Sequence, residues 1–81
     1  MKAKERGSPQ HDDLRRLLKE RRQRAELTQR ALADRLGWDH KTISSLERGS
    51  KRLTVLELIE LGKALEFDPA AAVRRVMKVK D

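Results

Sequence analysis

Cysteine and tyrosine are both absent from this chain of 81 residues. Without thiols, neither a disulfide framework nor a thiolate-ligated zinc can brace the fold, and redox or thiol-nucleophile chemistry goes with them. Glycine and proline are sparse, at 4 and 2, and no low-complexity tract interrupts the chain. That composition favours a folded chain, and its length favours one domain over two. No apolar run approaches the roughly 18–20 residues that a membrane span needs. The first ten residues are polar, which argues against a signal peptide and makes a cytoplasmic protein the expectation. The two histidines lie far apart in the sequence, and neither a glycine-rich phosphate loop nor a convergent carboxylate pair is present. His11 beside Asp12 and Asp13 offers one imidazole, and adjacent positions do not converge on one metal. An enzyme is therefore not expected, and neither is a metal, a cofactor or a small-molecule ligand.

What the chain has in quantity is charge. Lys and Arg number 20 against 13 Asp and Glu, for a net charge of +7. Residues 1–53 hold 15 cations and 8 carboxylates, whereas residues 54–81 hold 5 of each. The whole excess sits on the first two-thirds. A one-sided basic surface concentrates polyanions such as nucleic acid or anionic lipid, although a merely solvated surface has the same composition.

Residues 1–10 show no apolar periodicity and read as a disordered basic arm, with Ser8 and Pro9 placed as a possible N-cap and first helical residue. Lys2, Lys4 and Arg6 on that arm are either a solvated tail or a reach around a polyanion. A first helix is expected over about 12–25, with Leu14, Leu17, Leu18 and Ala25 on one face and Arg15, Arg16, Lys19 and Arg24 on the other. Thr28 caps a second helix over about 29–36, which Gly37 stops. Asp39 caps a third, His40 to Glu47, with Ile43 and Leu46 inward and Gly49 at its end. Helices this short need tertiary packing to persist. Thr54 and Glu57 form a capping box for a fourth helix, with Leu53 and Leu58 as its hydrophobic staple. Its apolar residues spread over more than one stripe, which predicts burial on two sides, and Gly62 in its middle predicts a close backbone approach. Asp68 and Pro69 open a fifth helix over about 69–79. No segment alternates as a strand does, so the fold class is all-α.

The segment from Thr28 to Gly49 places two short helices around the turn Gly37-Trp38-Asp39. Ala33 is small enough to let the following helix cross closely, Gly37 can take a positive φ, and Ile43 can plug the second helix onto the first. This is helix-turn-helix spacing.

The same residues resemble the Cro/C1-type (XRE-family) helix-turn-helix DNA-binding domain. The resemblance rests on Leu27-Thr28-Gln29, Leu32-Ala33, Leu36-Gly37, Thr42-Ile43-Ser44, Leu46-Glu47-Arg48-Gly49 and Leu58, Leu61, Ala64-Leu65. It spans roughly residues 12–68 and implies a compact five-helix, lambda-repressor-like fold. By that resemblance, Gln29 binds a DNA phosphate, and its place at a helix N-terminus favours an anion independently. The opening of the third helix would read base edges in a major groove through His40, Lys41, Thr42 and Ser45. Phosphate contacts are expected from Thr28, Gln29, Ser44, Arg48, Lys51 and Arg52. Arg22 and Glu47 are implied to form a largely buried structural ion pair.

Some positions depart from the family pattern. Glu26 stands where Gly or Asn is common, which predicts a less sharp turn between the first two helices. Trp38 replaces a Val or Ile and is expected to pack into the core. Lys51-Arg52-Leu53 lacks the proline that often precedes the fourth helix. Leu61, Val73, Val76 and Met77 are candidate dimer contacts, since one small domain with one recognition helix gains specificity by pairing half-sites about 34 Å apart. The function implied is a sequence-specific double-stranded DNA-binding regulator, a small dimeric repressor or a plasmid- or restriction-system controller. The alternative is an antitoxin that binds its own promoter and a protein partner. A membrane-surface role fits less well, because the apolar stripe of the first helix is needed by the core.

Overall fold

Five helices begin on a side-chain acceptor that satisfies backbone N–H groups left open by the helix geometry. In the computed structural model, which describes residues 8–80, these are α1 (Pro9–Arg24), α2 (Gln29–Leu36), α3 (His40–Arg48), α4 (Val55–Leu65) and α5 (Pro69–Met77). Ser8 accepts from the His11 amide, Thr28 from Ala31, Asp39 from Lys41, Thr54 from Glu57 and Asp68 from Ala70. The Thr54–Glu57 capping box is complete in both directions. Among the described residues there is no strand.

Residues 8–10, expected to end a disordered arm, instead open α1. Residues 1–7 lie outside the described residues. Ser8 is the N-cap of α1 and Pro9 its first residue, so the helix starts three residues before the expected 12. A tertiary contact supplies the reason. Gln10 Nε2 donates to the Val79 carbonyl at 3.1 Å and to the Val76 carbonyl at 3.4 Å, tying the first turn of α1 to the end of α5. Arg75 reinforces that joint through Asp13, at 3.0 Å and 3.1 Å. At the other end of the chain, α5 stops at Met77 rather than 79.

Leu17, Leu18, Leu32, Ala33, Ile43, Leu46, Leu58, Leu61, Leu65, Phe67 and Ala72 form the core. The fully enclosed Ala33 and the plug Ile43 sit where α2 and α3 cross. Trp38 is half-buried against the rim of this core rather than within it. Phe67, which shows no periodicity in the sequence, closes the α4–α5 corner, with the Arg21 guanidinium 5.7 Å from its ring centre.

Two backbone findings concern the turns. Gly37 and Gly49 take φ of +73° and +82° and end α2 and α3. Glu26 also adopts a left-handed φ of +60°, so the α1–α2 turn is as sharp as a glycine would make it, contrary to expectation. The cost is crowding of a Cβ in that region. Gly62 is buried where a Cβ would lie 2.6 Å from Pro69 Cγ and 2.8 Å from the Phe67 carbonyl. The close approach expected there is real, and α5 is the partner.

Helix α4 corrects a second expectation. Leu58, Leu61 and Leu65 are buried, but Val55 and Leu56 are each 73% exposed and Ile59 is exposed beside them. The other helices cover one side of α4 only, and its second apolar stripe faces solvent.

Candidate nucleic-acid interface

Helix α3 is held by its inner face and its end. Ile43 and Leu46 enter the core, and Glu47 is gripped from two other helices. Arg22 Nε donates to Glu47 Oε2 at 2.6 Å and Nη2 to Oε1 at 3.0 Å, while Nη1 reaches the Leu27 carbonyl at 2.7 Å. The expected ion pair thus joins α1, the α1–α2 turn and α3. Gln29 Nε2 adds a bond to Glu47 Oε1 at 3.0 Å. Burial works to raise the Glu47 carboxyl, but the hydrogen bonds from Arg22 and Gln29 and the nearby charges of Arg22 and Lys19 outweigh it. The carboxyl is held below its ordinary value, and the group stays ionised.

Arg15 belongs to the same grip, and sequence reasoning placed it only on a solvated basic face. Its Nη1 donates to the Glu47 carbonyl at 3.0 Å, its Nε pairs with Asp12 at 3.1 Å, and its side chain lies under Gly49. The lone signal for it in the sequence was its position seven residues before Arg22, on the same helical face.

With its inner side fixed, α3 presents Lys41, Ser44, Ser45 and Arg48 outward at helical spacing. Lys41 and Arg48 are exposed, and the two serines are half-buried. The Arg48 guanidinium folds back along the helix, donating to Ser44 Oγ at 2.7 Å and Ser45 Oγ at 3.4 Å. His40 is half-buried at the first turn, with Nδ1 3.9 Å from Asp39 Oδ1. Thr42 is also half-buried, and its amide donates to the Asp39 carbonyl at 2.9 Å. Base edges would therefore meet Lys41 and Ser45 most directly, with His40 and Thr42 flanking them.

The phosphate candidates divide by what already occupies them. Thr28 is exposed and its hydroxyl is used as the α2 cap. The side chain of Gln29 is turned to Glu47, so an anion at this helix start would meet backbone N–H groups first. Lys51 Nζ contacts Glu57 at 3.0 Å and 3.2 Å and is drawn toward α4. Glu57 is lowered below its ordinary value: burial raises it, but hydrogen bonds from the Thr54 amide and Lys51 prevail. Arg52 is exposed, and its carbonyl accepts from Lys51 Nζ at 3.0 Å.

Of the residues expected at a dimer seam, Leu61 is placed elsewhere. It is 2% exposed in the centre of the core and can touch no partner chain. The periodicity that exposed it to that reading is the one that buries it. Val73 is exposed, Met77 is 70% exposed, and Val76 is half-buried. Val55, Leu56 and Ile59, which sequence reasoning assigned to burial, are the exposed apolar residues of α4. No group of three or more His, Cys, Asp or Glu suited to a metal occurs among the described residues, and no described helix is long and apolar enough to cross a membrane.

Two short helices meeting at a glycine turn, the second anchored from behind and bare in front, define a helix-turn-helix domain, a class that places this second helix in the DNA major groove. The helix-turn-helix domain family matches residues 13–75, and the chain belongs to that family. Among solved structures, it is similar to a tyrosine-to-phenylalanine mutant of the restriction-modification controller protein C.Esp1396I. The two are 28% identical, the match covers 88% of this chain and 90% of that one, and the TM-score is 0.75. No curated protein matches the chain in sequence.

Proposed function

We propose that this protein is a sequence-specific double-stranded DNA-binding transcriptional regulator that acts as a homodimer on a palindromic operator. The observation that carries this reading is the posture of α3. Arg22, Gln29 and Arg15 hold Glu47 from behind, while Lys41, Ser44, Ser45 and Arg48 stand outward. A helix fixed in this way can enter a major groove without paying further ordering entropy. Lys41 is suited to donate to guanine O6 and N7, and the small serines let the helix sit deep. The N-terminus of α2 and the 48–52 loop supply phosphate contacts, which set register and affinity rather than sequence.

The dimer reading is supported by the apolar side chains left in solvent on two adjoining helices, Val55, Leu56 and Ile59 on α4 with Val73 and Met77 on α5. Large apolar side chains exposed on neighbouring helices are a feature of association surfaces. The likeness to a restriction-modification controller favours a restriction-system controller over the other regulatory roles.

Selection of bound duplexes from a random pool tests the reading, with the chain carrying His40→Ala and Lys41→Ala as control. The expected result is a two-fold symmetric consensus for the parent and loss of discrimination for the double variant, with its helical circular dichroism unchanged. A double variant that selects the same consensus as strongly as its parent would remove α3 from the reading of bases.

A further inference from the structure

A recess of about 420 Å³ opens between the start of α1, the α3–α4 loop and the end of α5. Its apolar walls are Leu14, Leu18, Leu46, Leu53 and Val76. Arg15, His11, Lys51 and Arg52 supply polar lining, and no carboxylate among the described residues lines it. The recess is open to solvent, and its border toward α5 is fixed by polar contacts: Gln10 bonds the carbonyls at the end of α5, and Asp13 pairs with Arg75.

The charge of the lining limits what can fill it. Arg15 and Lys51 each have one carboxylate neighbour, Asp12 and Glu57, but neither of these faces the recess. An occupant needs an apolar body and a negative head. Residues 1–7 carry three cations and one carboxylate, the wrong sign for this lining. Nucleic-acid phosphates have the right sign but no apolar body to lay on five aliphatic side chains. We propose that the recess binds a free small amphipathic carboxylate, a medium-chain aliphatic acid or an aromatic acid of similar size. Its apolar body lies on the leucines and Val76, and its carboxylate faces Arg15 and His11. The volume is within the roughly 300–1,000 Å³ typical of small-molecule sites.

Octanoate is the probe, and the readout is the amide and methyl resonances of the whole chain without DNA. Octanoate should saturate with a dissociation constant of about 1 mM or lower, moving Leu14, Leu18, Leu53 and Val76 together. Octanol, which has the same tail but no charge, should bind at least about tenfold more weakly. His11→Glu adds a negative charge to the lining at a helix start where a carboxylate is favourable. It should weaken octanoate about tenfold and leave octanol unchanged. Shifts that do not saturate, that gather away from the recess, or that are as strong for octanol as for octanoate would overturn the proposal. The comparison of the two probes on the unaltered chain needs no variant to fold. Because DNA is absent, its outcome is independent of the DNA-binding reading.

Discussion

Arg22 and Glu47 meet side-on, through 2.6 Å and 3.0 Å contacts, with their side chains only 11% and 7% exposed. A single guanidinium thereby spans α1 and α3, and its remaining reach to the Leu27 carbonyl brings in the turn before α2. A buried pair of this kind owes much of its apparent worth to the penalty for stranding one partner. Its contribution here is chiefly orientation: it fixes the helix that carries Lys41 and Ser45.

Glu47→Ala should lower the unfolding free energy by about 3–5 kcal/mol, because the Arg22 charge is then left buried without its carboxylate. Arg22→Met combined with Glu47→Met should recover a large part of that loss. Urea denaturation of Glu47→Ala, of Arg22→Met and Glu47→Met singly, and of the Met pair measures this. A pair as unstable as the sum of its singles would mean that the two residues act separately.

Acid should weaken the same joint. The folded Glu47 carboxyl lies below its ordinary value near 4.5, so folding favours the ionised form. The stability linked to it is fully present above that ordinary value and is lost as pH falls through the lowered one. Thermal unfolding from neutral pH down to about pH 3 should therefore show a steeper acid loss for the parent than for Glu47→Gln. Parallel curves for the two proteins would disprove the linkage.

Gly62→Ala should destabilise the protein by about 1–3 kcal/mol, although alanine is the better helix former by about 1 kcal/mol. The new methyl would strike Pro69 Cγ and the Phe67 carbonyl, and the backbone of the corner has to move. A rise in the urea midpoint would show that α5 yields easily.

At Glu26 the opposite sign applies. Its φ of +60° is one that glycine adopts freely. Glu26→Gly should stabilise the fold by roughly 0.5–1 kcal/mol, read as a higher melting temperature. A fall would show that the side chain contributes something the strained turn conceals.

Leu56→Glu tests the proposed association through α4. Leu56 is 73% exposed, so the folded monomer should keep its stability to within about 0.5 kcal/mol. Sedimentation equilibrium should report at least about tenfold weaker self-association, since one methylene of lost burial is already worth about 0.8 kcal/mol. Unchanged self-association would move the interface away from α4.

Much of this architecture was legible because its signals are local. Caps such as Thr28 and Asp39, the capping box at Thr54 and Glu57, and the glycines at 37 and 49 act within one turn of chain, and the structure bears out each. Periodicity named most of the core for the same reason. It could not say which of two apolar stripes on α4 would be covered, so Leu61 and Val55 exchanged their expected places.

By itself, then, the order of residues determined the five helices, the starts of the last four, the turn between α2 and α3 and the excess of positive charge toward the first two-thirds of the chain. Tertiary structure alone decided which charges are committed and which are displayed. In the sequence Arg15 belongs to a basic face and Gln29 and Lys51 are expected phosphate contacts, yet each is turned onto Glu47 or Glu57. Gln10 and Asp13 find their partners in α5, more than sixty positions away. Ion pairs and apolar faces depend on distances between helices, and those distances follow from packing all five together, which no local pattern encodes.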